Sequence, residues 1–87
     1  DLLGDALDRN FQRRPDGSEA VGDVLLFRMK AGCPAKHVGL QTRVGTFSTF
    51  VHAFSRRAVV ESPLSAPWRR KIVARFAFPE EVVSWQQ

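Results

Sequence analysis

Within its 87 residues the chain has a single cysteine and only two histidines. One cysteine excludes an internal disulfide framework, so the fold must be held by its hydrophobic core. Any catalytic chemistry must run through very few groups. Long hydrophobic runs are absent too, and nothing approaches the roughly 20 apolar residues that a helix needs to span a bilayer. The opening stretch carries Asp1, Asp5 and Asp8 in place of the basic start and continuous apolar stretch of a secretory signal, so no export address is expected. Acidic residues are scarce in the body of the chain: from Val24 to Pro79 ten Lys and Arg stand against Glu61 alone. A field of that sign draws anionic partners, which include wall polymers, nucleic acid and acidic peptides, without choosing among them.

Hydrophobic residues at 44% and charged residues at 25% are ordinary globular values, and the length suits one small domain over residues 1–87. Leu3, Leu7 and Phe11 recur every four residues with Leu2 and Ala6 beside them, which predicts a helix over about residues 2–13. Pro15, Gly17 and Ser18 then stop it. Short β-like runs follow at 24–29, 38–44, 50–55, 57–62 and 71–78, separated by Gly- and Pro-containing turns. In the last of them Ile72, Ala74, Phe76 and Phe78 fall on one face, with Lys71 and Arg75 on the other. The expected fold class is α+β: one N-terminal helix followed by a five-stranded antiparallel sheet or small barrel. The tail containing Val82, Val83 and Trp85 has no assignable place.

Each histidine sits in an apolar strand-like run, His37 in Lys36-His37-Val38-Gly39-Leu40 and His52 in Phe50-Val51-His52-Ala53-Phe54. On one face of an antiparallel pair, opposed β-carbons lie about 4.5–5.5 Å apart, so two imidazoles there can share a hydrogen bond. That arrangement suits a general base, His37, whose tautomer and ring angle are fixed by a second polar group, His52. Two half-buried strand residues with no chemical role are the plain alternative. Trp68 beside Arg69, Arg70 and Lys71 reads either as a solvated strand edge or as a grip for an anionic glycan or nucleic acid.

Gly22-Asp23-Val24-Leu25-Leu26-Phe27, then His37-Val38-Gly39-Leu40, then Val51-His52-Ala53, in that order, resemble the second half of the NlpC-type murein peptidases. These are papain-like cysteine peptidases that cut peptidoglycan stem peptides. The stretch from Val60 through Trp68 and Arg70 to Pro79 resembles the branch found in phage tails and gene transfer agents. The resemblance covers roughly Gly22 to Pro79. It implies the sheet half of a papain-like fold, with His37 as the catalytic histidine, His52 as its third polar residue and Gly22-Asp23 as a structural turn. It also implies the C-terminal part of a longer peptidase domain, because the family's nucleophile is a cysteine opening a helix well upstream of the Gly-Asp turn. No cysteine precedes Gly22 here.

The expected function is therefore a phage-like tail cell wall peptidase working by a Cys-His-His mechanism whose thiol lies upstream of this chain, with the 87 residues alone inactive. Cys33, four residues before His37 in a Gly-Cys-Pro loop, does not match the family's nucleophile position. A zinc site from Cys33, His37 and His52 would have only three ligands, at a spacing that matches no finger pattern. No metal or organic cofactor is expected. The expected partners are peptidoglycan stem peptides and other tail or baseplate proteins, in a virus-like or phage tail particle acting on the bacterial wall. Nucleic acid is disfavoured as a partner, since few accessible aromatics of the single-strand readers are present. The alternative reading is a non-catalytic basic β-domain, either a structural tail component or a nucleic-acid binder.

Overall fold

A computed structural model describes residues 2–15, 17–55 and 58–79. Among these the chain runs α1 (Leu2–Asn10), β1 (Gln12–Arg13), β2 (Val24–Phe27), β3 (His37–Arg43), β4 (Thr49–Ser55), β5 (Ala58–Pro63), α2 (Ala66–Arg69) and β6 (Ile72–Ala77). The strands make one sheet in the order β1-β6-β2-β3-β4-β5, every neighbouring pair antiparallel. The α+β class with an N-terminal helix holds. The sheet is open, with β1 and β5 at its edges, and it has six strands where five were expected. Val82, Val83 and Trp85 lie outside the described residues.

The sixth strand comes out of the predicted helix. α1 ends at Asn10, where the Phe11 amide still donates to the Leu7 carbonyl at 2.9 Å. The chain then straightens, and Gln12 and Arg13 pair with Ala77 and Phe76 of β6. Phe11 continues the apolar stripe of α1 in both conformations, so periodicity alone could not mark the change. Its ring meets Phe78 edge-on at 5.1 Å.

Strand β2 is buried at all four positions, which requires cover on both faces. Val24 and Leu26 point to one side and pack with Leu7, Ala35 and Phe76, with Leu3, Phe11, Val38 and Ala74 around them. Helix α1 therefore closes that face over the β6–β2 half of the sheet. Leu25 and Phe27 point the other way and pack with Phe50, Leu64, Trp68 and Ile72. The second face is the one that carries the histidines.

The strict alternation expected for β6 breaks at its start. Leu26 pairs with Ala74 but Phe27 pairs with Ile72, so Val73 is an extra residue in the ladder and sits 38% exposed. A bulge of this kind shifts the parity of the residues before it. Ile72 consequently joins the core of the histidine face, while Ala74 and Phe76 stay with the helix-covered core.

The turn before β2 is tied down by its own side chain. Gly22 adopts a φ of 91°, a backbone region that L side chains rarely enter. Asp23 is then buried, accepting from the Ala20 amide at 3.0 Å, from Arg14 Nε at 2.8 Å and from Arg75 Nη1 at 3.1 Å. Arg75 Nη1 also donates to Gln41 Oε1, and Gln41 Nε2 donates to Glu19 Oε1 at 2.7 Å. One network thus joins the turn to β3 and β6.

Candidate active site

Register places the two histidines on one face as diagonal neighbours. His37 opposes Phe27 at the start of β3, and two residues further on Gly39 opposes His52 of β4. The missing side chain at Gly39 leaves the space above it to its neighbours: a β-carbon there would lie 2.9 Å from Phe50 Cδ2, 3.0 Å from the Val51 carbonyl oxygen and 3.4 Å from Phe27 Cε2. The rings of Phe27 and Phe50 close over that gap at 5.2 Å between centroids. They form the floor on which both imidazoles rest.

His37 Nε2 and His52 Nδ1 are 2.8 Å apart, and the two rings stand nearly perpendicular at 88°. His52 Nε2 is in turn 2.9 Å from Ser62 Oγ on β5. His52 is 3% exposed and stacks on Phe50 at 4.3 Å with 29° between the planes. His37 is only partly buried. No hydrogen bond from the described residues reaches its Nδ1, and no unpartnered polar side-chain atom there is sealed from solvent, so that nitrogen opens outward. The cluster therefore runs from a half-buried hydroxyl through a buried imidazole to a half-buried one.

Trp68 closes the cluster from the side of α2. Its indole lies near-parallel to His37 at 5.8 Å and meets His52 edge-on at 5.0 Å, while also touching the rings of Phe27 and Phe50. The indole is half-buried against the histidines, and Lys71 Nζ lies 5.9 Å from its ring centroid. Pro67 is the second residue of α2, a single helical turn in which the Arg69 amide donates to the Ser65 carbonyl at 2.8 Å. That turn swings the indole inward and leaves Arg69 and Arg70 exposed.

Burial lowers the His37 pKa from its ordinary 6.5, because desolvation penalises the imidazolium. Burial lowers that of His52 as well, and repulsion from His37 adds to the effect. Both rings are thus biased towards the neutral form, in which one nitrogen donates and the other accepts. A neutral His37 tied at Nε2 and open at Nδ1 can take up a proton from a group placed at its free side.

Cys33 does not belong to this cluster. It is exposed in the loop before β3, beside Met29, Lys30, Pro34 and Lys36. Nor does the fold gather Cys33, His37 and His52 at one point: among the described residues no group of three or more His, Cys, Asp or Glu side chains is placed to hold a metal. Two members of the cluster escape a sequence reading. Ser62 shows only as one face of an alternating strand, and its partner depends on the β4–β5 register, which sets Phe50 opposite Ser62 and His52 opposite Val60. Trp68 is recognisable as an aromatic beside prolines, but not by the direction it faces.

No helix among the described residues is long and apolar enough to cross a membrane. Comparisons of the chain with protein-family models, with curated proteins and with solved structures each returned no match.

Proposed function

We propose that this chain is the sheet portion of a cysteine-type cell wall peptidase that hydrolyses peptidoglycan stem peptides, with its thiol supplied by a segment outside the 87 residues. The reading is supported above all by one observation. His37 is bound at Nε2 by His52 at 2.8 Å and free at Nδ1, as a proton carrier oriented by a second group must be. The motif order around Gly22-Asp23, His37 and His52 supports the same class.

In this mechanism the thiol proton passes to His37 Nδ1 and the sulfur adds to the carbonyl carbon of the stem peptide. The tetrahedral intermediate collapses with cleavage of the C–N bond, and the imidazolium returns its proton to the departing amine. Water, deprotonated by the same nitrogen, then hydrolyses the thioester and frees the thiol. His52 accepts the His37 Nε2 proton throughout and so holds the ring to one angle. The excess of Lys and Arg over acids in the domain body suits a polymer dense in carboxylates, and a tail or baseplate assembly is the proposed setting.

The test is digestion of purified peptidoglycan by the full-length gene product, followed by counting newly released amino groups. His37→Ala is expected to lower the rate by about a hundredfold or more, the usual scale for loss of a general acid–base. Undiminished hydrolysis by His37→Ala would overturn the reading.

A further inference from the structure

We propose that Ser62 is a positioning residue: its hydroxyl accepts the proton on His52 Nε2 and so keeps His52 in the tautomer whose Nδ1 accepts from His37. This deepens the peptidase reading and rests on it for its functional meaning. The structural part stands on geometry alone. Ser62 reaches the histidine face from β5 and lies 2.9 Å from His52 Nε2, while His52 Nδ1 lies 2.8 Å from His37 Nε2.

Two proton arrangements satisfy these two bonds when both rings are neutral. In one, Ser62 donates to His52 Nε2, His52 donates from Nδ1, and the His37 proton sits on Nδ1. In the other, His37 donates from Nε2, His52 donates from Nε2 to Ser62, and His37 Nδ1 carries a lone pair. The second alone leaves His37 able to receive a proton on its open side. It is also the one that survives the transfer, because an imidazolium bears hydrogen on both nitrogens and its Nε2–H needs an acceptor at His52 Nδ1. A neutral His52 that accepts at Nδ1 must bear its proton on Nε2. That proton requires an acceptor inside the fold, since His52 is only 3% exposed. The Ser62 hydroxyl supplies it and can turn its own hydrogen elsewhere.

The direct test is nitrogen NMR of histidine-labelled protein near pH 8, where protonated and unprotonated ring nitrogens of a fixed tautomer give well-separated resonances. Ser62→Thr keeps the hydroxyl and Ser62→Val has the same shape without it. The wild type and Ser62→Thr are expected to show His52 protonated at Nε2, and Ser62→Val to show the two resonances drawn together by exchange between tautomers. In the full-length gene product, Ser62→Val should lower kcat/KM on a stem peptide about five- to tenfold through kcat, the scale of one lost neutral hydrogen bond, with recovery in Ser62→Thr. A wild-type His52 protonated at Nδ1, unchanged resonances in Ser62→Val, or an unchanged kcat/KM in that variant would each overturn the proposal. The NMR readout requires no hydrolysis, so an ordered tautomer in a protein that cuts nothing would sink the peptidase reading and leave the structural role of Ser62 intact.

Discussion

A single absent side chain sets the shape of the histidine cluster. At Gly39 a methyl group would stand 2.9 Å from Phe50 Cδ2 and 3.0 Å from the Val51 carbonyl oxygen, and neither neighbour can give way easily. The carbonyl belongs to the β4 backbone, and Phe50 is fully buried between Phe27, Trp68 and His52. Gly39→Ala is therefore expected to cost about 1–3 kcal/mol, the range for overfilling a packed core, although alanine suits a strand better than glycine elsewhere. The displaced Phe50 ring would also lose its stacked position on His52. Thermal unfolding reads the first effect, and the ring-current shift of the His52 protons reads the second. A variant as stable as the parent, with unmoved His52 signals, would show that Phe50 has room the packing does not reveal.

At the scale of elements, the turn into β2 is held by charge where the strand itself is held by apolar burial. Asp23 lies between Arg14 and Arg75 with its carboxylate 1% exposed and accepts from a backbone amide as well. Asp23→Asn leaves two partly buried guanidinium groups facing a neutral amide, and a destabilisation of about 3 kcal/mol is expected. Glu19→Gln is the comparison. Its carboxylate is more exposed, and its contacts to Arg69 and Arg75 are long, at 3.5 and 3.8 Å, so a cost below about 1 kcal/mol is expected. Urea unfolding of the two variants checks the ranking, and equal costs would mean that the turn does not depend on the Asp23 charge. Two elements were legible from sequence because a single local pattern marks them: the four-residue stripe of α1, though not its end, and the apolar run of β2. Others depended on partners distant in the chain. The bulge at Val73 exists because β6 must pair with β2 across the whole loop region, and residues 12–13 became a strand because β6 offered an edge. The histidine pair was legible as two apolar runs of opposite direction, whereas Ser62 and Trp68 needed the register of β5 and the turn of α2.

At the scale of the whole molecule, the titrating groups among the described residues whose pKa values are displaced all push stability in one direction as acid is added. His37 and His52 are held below their ordinary 6.5, first by burial, with their mutual repulsion adding to His52. The unfolded chain therefore binds protons that the folded one resists, and the contribution of both rings is fully present above about pH 6.5 and lost as pH falls through their folded values. Glu19 is held below 4.5 chiefly by its hydrogen bond from Gln41, and Glu61 by those from Thr42 and Thr49. Their contribution is present above about pH 4.5 and lost below it. The urea midpoint is therefore expected to stay level at alkaline pH, to begin falling as pH drops past 6.5, and to fall again past 4.5. Replacing both histidines, as His37→Asn with His52→Asn, should remove the first decline and spare the second, because Asn keeps a polar side chain at each site without a proton to gain. A midpoint that stays level from pH 8 to pH 5 in the parent would mean that the imidazoles titrate as they do in the unfolded chain. In that case the floor of Phe27 and Phe50 and the Trp68 cover do not shield them from water, and the cluster lacks the dry setting in which His52 could hold His37 to a single tautomer.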